Sequence, residues 1–267
     1  MTASIRLVAL DLDGTLLNRG GEISDANAAA VRDAVAAGVH IVIATSRWYL
    51  LAKRTADLLG ITSPLICHNG AMIRSPIDDA RLLQLDVPAA AAIEIAAIAD
   101  EAHYESMCTV DDQTHLLSRR PNIDPTRLPQ GMTQTQRLSD HVAGGVEGFL
   151  FFGQDACDGI RDRVGDRYDG ILNLAYGYSE TFPPYVNIVH AGADKGRALQ
   201  LVCDHVGVPI AQAMAIGDAA PDLQMMRAAG IGMAMGNAPD DVKAQADVVG
   251  PSNLDDGVAW AIREYAL

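Results

Sequence analysis

Basic residues are in short supply: 20 Lys and Arg stand against 34 Asp and Glu, a formal net charge of −14. A nucleic-acid binder needs a basic surface to displace counterions, and an anionic membrane attracts one, so this balance argues against both partners. Cysteine is scarce as well. Cys67, Cys108, Cys157 and Cys203 lie far apart in the chain and leave no CxxC pair for a metal or redox centre. The seven histidines form no HxH or HExxH pattern, so zinc lacks its usual ligand spacing. Long apolar runs are missing. The best stretch, residues 87–99, is rich in alanine, contains Glu94 and falls short of the ~20 residues of a membrane span. The apolar run at residues 7–10 is too brief for a secretory signal and meets Asp11 and Asp13, so a cytoplasmic location is expected. The reducing cytosol keeps scattered thiols unbridged.

What is present suits a folded α/β protein. The 267 residues are 49% apolar and 20% charged, enough for one large domain or two modest ones. Short apolar runs at residues 5–10, 39–44 and 64–67 read as strands, each ending in a polar loop. Ser24 or Asp25 can cap a helix to about Ala37, with Gly38 beyond it, and a second helix is expected to stop at Gly60. The end of the chain repeats this grammar. Asp194 caps a helix to about Val206, and strands are expected at 213–216, 231–235 and 248–249. Pro221 suits the first turn of a helix, and residues 255–265 form a closing one. Apolar strands alternating with helices predict a Rossmann-like three-layer α/β/α core with a mainly parallel sheet. Ligands of such sheets sit at the carboxyl ends of the strands.

The middle of the chain has another texture. A helix over residues 88–102 is followed by strands at 104–110, 114–117 and 147–152, a helix at 155–164, and strands at 171–175 and 185–189. The stretch 119–131 holds three prolines and is expected to be a loop. The predicted division is therefore a core of residues 1–82 and 190–267 with an inserted α+β domain at 83–189.

Carboxylates gather in the strand-end loops. Asp11 and Asp13 follow the first strand, and residues two apart in an extended segment project to the same side. Asp218 and Asp222 follow a late strand across a strand-to-helix turn. If the two strands are neighbours, these charges repel, and a hard divalent cation such as Mg²⁺ relieves them. Thr45 ends its strand just before a helix N-terminus, a place that attracts anions, and Lys195 opens a later helix. An acidic nucleophile, a second acid, a hydroxyl, a lysine and a metal together make a phosphoryl-transfer set.

These residues resemble the haloacid dehalogenase superfamily of phosphatases. DLDGT at residues 11–15 is similar to its first motif, Thr45 to the second, Lys195 to the third, and Gly217-Asp218 with Asp222 to the fourth. HNGA at 68–71, ADKG at 193–196, AMGN at 234–237 and NLDDGV at 253–258 resemble the Cof-type branch, which carries a large cap between its second and third motifs. The resemblance implies an Mg²⁺-dependent phosphomonoester hydrolase. Asp11 would be nucleophile and metal ligand. Asp13 would be general acid/base, with its carbonyl on the metal. Thr45 and Lys195 would bind the phosphoryl group. Asp218 would ligate the metal, and Asp222 would support that shell. Leu12, Ser46, Asn69 and Gly70 join the phosphate-binding residues. The cap would select the leaving group and exclude water. The implied partner is a small phosphorylated metabolite such as a sugar phosphate, and the protein a monomer or homodimer.

Two departures stand out. Ser46 replaces the glycine of the usual TGR, and Pro221 replaces the Asn of the usual GDxxND. Pro221 removes a polar side chain and an N–H beside the lysine, which keeps a catalytically weak phospholigand-binding protein open as an alternative. A phosphomutase is the other. Read singly, His68, His115, Arg119 and Arg120 fit solvated loops, and Met225, Met226, Met233 and Met235 fit the core.

Overall fold

The computed structural model describes residues 4–120, 122–177 and 183–267. The chain divides into two compact units, Met1–Leu83 with Asp194–Leu267, and Gln84–Ala193.

The first unit opens with β1 (Leu7–Leu10), α1 (Asp25–Ala36), β2 (His40–Ile43), α2 (Tyr49–Leu59), β3 (Leu65–Cys67), β4 (Met72–Arg74) and β5 (Arg81–Gln84), whose last residue begins the second unit. The second unit holds α3 (Ala89–Ala102), β6 (Ser106–Val110), β7 (Gln113–Leu117), β8 (Met132–Thr135), β9 (Val146–Phe152), α4 (Gln154–Ile160), β10 (Leu172–Gly177) and β11 (Tyr185–His190). The chain then returns to the first unit through α5 (Lys195–Val206), β12 (Ala213–Gly217), α6 (Leu223–Ala228), β13 (Ile231–Ala234), α7 (Asp240–Lys243), β14 (Val248–Val249) and α8 (Gly257–Tyr265).

The main sheet runs β14-β13-β12-β1-β2, and every pair in it is parallel. Its strands are apolar at nearly every position because both faces are covered. The period of two divides them. Val8, Leu10, Ile41, Ile43, Met214 and Ile216 pack with Ala30, Val31 and Ala34 of α1 and with Val258 and Ile262 of α8. Leu7, Ala9, Val42, Ala213 and Ala215 pack on the other side with Leu199 and Val202 of α5 and Met225 and Met226 of α6. This is the three-layer α/β/α core with a mainly parallel sheet. Ser24 caps α1 by accepting from the Asn27 N–H at 3.1 Å, and Asp194 caps α5 by accepting from the Arg197 N–H at 2.8 Å.

The second unit is a six-stranded sheet, β10-β11-β9-β6-β7-β8, antiparallel except for the β7/β8 edge pair. Ala92, Ile95 and Ala99 of α3 and Cys157 and Ile160 of α4 pack against Cys108, Phe149, Phe151 and Ile188 on one face of it. No helix among the described residues is long and apolar enough to cross a membrane.

Several elements differ from expectation. The strands β4 and β5, the edge strand β8 and the short helix α7 have no counterpart in the sequence reading. β5 (RLLQ) and β8 (MTQT) carry polar side chains and none of their residues is fully buried, so neither gives an apolar run. The helix expected to 164 stops as an α-helix at Ile160 and widens into a π-type turn over Arg161–Gly165. Pro221 sits in a separate 3₁₀ turn, Ala220–Asp222, ahead of α6. In the proline-containing loop, Pro121 lies outside the described residues, and Pro125 opens a 3₁₀ turn, Pro125–Arg127.

Candidate active site

Strand order decides which loops meet. β1 lies between β12 and β2, with Leu10 in register with both Ile216 and Ile43. The ladder runs one residue further on each side. The Asp11 N–H donates to the Ile216 carbonyl at 3.0 Å, and the Ala44 N–H donates to the Leu10 carbonyl at 2.8 Å. Asp11 therefore leaves the sheet between the loops that carry Asp218 and Thr45.

Lys195, the first residue of α5, ties the centre together. Its Nζ donates to Asp11 Oδ1 at 2.8 Å and to Asp222 Oδ1 at 2.6 Å, with the lysine side chain only 2% exposed. Burial alone would lower the ammonium's pKa. The charges of Asp11 and Asp222 more than offset that and hold it above its ordinary value. The Lys195 backbone N–H donates to Gln224 Oε1 at 3.1 Å.

Asp222 spends both oxygens on its surroundings. Oδ1 takes the lysine, while Oδ2 accepts the N–H groups of Asp218 at 3.1 Å and Ala219 at 3.0 Å. It holds the turn that presents Asp218. Pro221 fits this turn without loss, since the bond that closes it is donated by the Asp222 N–H to the Ala219 carbonyl. Lys195 has two carboxylate partners without help from position 221.

Asp218 accepts the Thr15 hydroxyl on Oδ1 at 3.0 Å, and Asn237 Nδ2 lies 3.5 Å from its Oδ2. Gly14, at φ +88°, is required here. The left-handed backbone is costly for other residues, and a Cβ would collide with the Asp218 carboxylate. Burial first, then the Asp222 charge, pushes the Asp218 carboxyl up to about 7, against the pull of Thr15 and Lys195. Burial and the Asp222 charge likewise hold Asp11 well above the usual carboxylate range, with Lys195 acting the other way.

Asp11, Asp218 and Asp222 each place a carboxylate oxygen within 4.8 Å of the others. Three carboxylates against one ammonium leave negative charge in a buried place, and all the donors are hard oxygens. That set fits a divalent cation of the Mg²⁺ kind. Among the described residues Asp11 Oδ2 accepts no hydrogen bond, so it is available to a ligand or an electrophile.

The remaining expected residues divide. Thr45 is fully buried at the end of β2, and its Oγ1 accepts the Arg47 N–H at 3.1 Å, which leaves its own proton free to donate. The Asn69 N–H donates to the Thr45 carbonyl at 3.0 Å, so the residue 68–71 loop is fastened to the Thr45 loop. Gly70, at φ +96°, packs on the backbone of Asp194, where a Cβ would lie 2.5 Å from the carbonyl oxygen. Its glycine is explained by packing. Leu12 is buried in the core, which leaves only its backbone for a ligand, and Ser46 is exposed. The Asp13 carboxylate stands apart from the cluster of three and accepts Arg47 Nε at 2.7 Å and Nη2 at 2.5 Å.

Thr15, Arg47, Asn237 and Asn253 were not among the expected site residues. Asn237 Nδ2 donates to the Gly14 carbonyl at 2.9 Å, and its Oδ1 accepts the Asn253 N–H at 2.9 Å. Asn253 in turn donates to the Leu17 carbonyl at 3.0 Å. The AMGN and NLDDGV segments thus brace the first loop, a role their recurrence as motifs could have signalled.

Residues 8–262 match the family model of haloacid dehalogenase-like hydrolases. The chain is 31% identical to the 5-amino-6-(5-phospho-D-ribitylamino)uracil phosphatase YcsE of Bacillus subtilis, over 98% of this chain and 96% of that one. It is 29% identical to the pyridoxal phosphate phosphatase YbhA of Escherichia coli, over 98% and 99% of the two chains. A crystal structure of a haloacid dehalogenase-like hydrolase from Bacteroides thetaiotaomicron superposes with a TM-score of 0.84 at 25% identity, over 97% of this chain and 99% of that one.

Proposed function

The chain belongs to the haloacid dehalogenase-like hydrolase family, and from that membership we propose that it is an Mg²⁺-dependent phosphatase of small phosphorylated metabolites. The observation that carries the reading is the buried Lys195 bridging Asp11 and Asp222, with Asp218 on the adjoining strand end. Asp11 and Asp218, with the Asp13 carbonyl as the family resemblance implies, would hold the cation, which would supply positive charge for the phosphoryl oxygens. Asp222 supports that group by fixing Lys195 and the turn.

In this reading Asp11 Oδ2 attacks phosphorus, and a phosphorus–oxygen bond to Asp11 forms as the bond to the alcohol breaks. Asp13 gives a proton to the departing oxygen. Water then attacks the aspartyl-phosphate, loses its proton to Asp13 and restores Asp11. Lys195, the Thr45 hydroxyl and the backbone at Leu12 and Ser46 steady the phosphoryl oxygens, and Asn69 and Gly70 border them. Residues 1–82 and 190–267 serve as the catalytic core, and 83–189 as the part that selects the leaving group. The named relatives are phosphatases of 5-amino-6-(5-phospho-D-ribitylamino)uracil and of pyridoxal phosphate, which supports a metabolite of comparable size, a sugar phosphate included. The compartment we infer is the cytoplasm, consistent with the absence of disulfides among the described residues, and the assembly a monomer or homodimer.

The test is phosphate release from an aryl phosphate. Turnover should require Mg²⁺, stop with chelator and be lost in Asp11→Asn. Full activity in that variant, or indifference to chelator, overturns the reading.

A further inference from the structure

The Asp13 carboxylate has one partner among the described residues, and that partner is Arg47. Nε meets Oδ2 at 2.7 Å and Nη2 meets Oδ1 at 2.5 Å, a parallel two-bond fork. The side chains are 23% and 46% exposed, so solvent does not wholly screen the pair. Arg47 is itself anchored at both ends of its peptide. Its N–H donates to Thr45 Oγ1 at 3.1 Å, and its carbonyl accepts the His68 N–H at 3.1 Å. A planar guanidinium on a fixed backbone sets both the plane and the rotamer of the carboxylate it grips.

We propose that Arg47 is the positioning residue for Asp13, holding the proton-transfer group of the reaction in place. The inference rests on the phosphatase reading above and deepens it. Guanidinium donates and cannot accept, so the fork engages both oxygens of Asp13 and fixes where its proton-transfer atoms lie. During the first step Asp13 passes its proton to the alcohol oxygen, which also receives the electron pair of the breaking phosphorus–oxygen bond. Phosphorus gains its bond to Asp11 in exchange. A lysine at 47 would keep the charge and lose the fork.

The test exploits leaving-group chemistry. A p-nitrophenolate departs with little help from an acid, whereas an alkoxide needs the proton. The quantity to read is kcat/KM, which reports only steps up to release of the alcohol. Purified full-length protein is assayed with p-nitrophenyl phosphate and with a primary alkyl phosphate. In Arg47→Met the alkyl value should fall at least ~10-fold further than the aryl value, a fraction of the ~10²–10⁴ that proton transfer contributes. Arg47→Lys should fall between wild type and Arg47→Met, and it carries the same readout if the methionine variant fails to fold. Equal losses on both esters would mean that Arg47 grips the phosphoryl group or merely holds the loop, and either overturns the proposal, as does an unchanged ratio. Absence of chelator-sensitive release from both esters in the wild type overturns the phosphatase reading itself, and this inference with it.

Discussion

The two units place their charges differently. In the first, Lys195, Asp11 and Asp222 have side chains 2%, 10% and 1% exposed and meet from positions far apart in sequence. In the second, Arg119 and Asp155 are each 52% exposed, Arg163 and Glu101 are 46% and 69% exposed, and Arg167 and Glu94 are 65% and 26% exposed. Exposed pairs are solvated whether or not they form and add little to stability. A buried ammonium between carboxylates must be desolvated, and an apolar group of similar size would cost less. The first unit therefore bears a cost of folding that its chemistry explains, whereas these three pairs of the second lie where they are nearly neutral.

Asp11→Asn should make the contrast sharpest. Phosphate release should fall by at least ~10³-fold, as for a lost nucleophile. Metal-free Asp11→Asn should nonetheless be at least as stable as wild type at pH 8 by thermal unfolding, because one repelling charge is gone. A large drop in stability would mean that Asp11 is structural.

Lys195→Met should cost about 3 kcal/mol or more in the metal-free protein, since Asp11 and Asp222 are left buried without their cation. Chemical denaturation measures this. A change under ~1 kcal/mol would place the lysine with the exposed pairs of the second unit.

Next comes pH. The Asp218 carboxyl lies at about 7 in the folded chain against 3.8 when unperturbed. Between those values the folded state binds more protons than the unfolded one, so stability falls as pH rises through the interval. Metal-free protein should lose stability from pH 4 toward 7, with Asp11 adding in the same direction, and saturating Mg²⁺ should restore it near neutral pH. Unfolding midpoints across pH, with and without Mg²⁺, check the sign. The smallest effect belongs to the second unit: Arg163→Ala should shift unfolding by less than ~0.5 kcal/mol.

Much of the core was legible because its strands are apolar runs closed by polar loops. Asp11, Thr45 and Asp218 all stand at such closures, and Lys195 follows a capping Asp194. Strand order was not legible from composition or periodicity, and the unexpected partnerships depend on it. That β1 lies between β2 and β12 lets Arg47 reach Asp13 and lets Thr15 reach Asp218. The division of work between Asp218 and Asp222 was only partly visible. Spacing brought both toward a metal, whereas the geometry commits the oxygens of Asp222 to Lys195 and to two backbone N–H groups. Pro221, an apparent defect by motif, occupies a turn position that asks for no side-chain bond. The short edge strands β5 and β8 stayed hidden because RLLQ and MTQT mix polar with apolar residues, none of them fully buried, and so give no apolar run.

The central claim is that acidic groups from neighbouring strand ends share one divalent ion beside Asp11. Calorimetric titration of metal-free protein with Mg²⁺ near neutral pH tests it most directly. The account predicts one ion bound per chain, proton release on binding because the ion displaces protons from raised carboxyls, and loss of binding in Asp218→Asn with the fold intact. Undiminished binding in that variant, or no binding to the wild type, would contradict it.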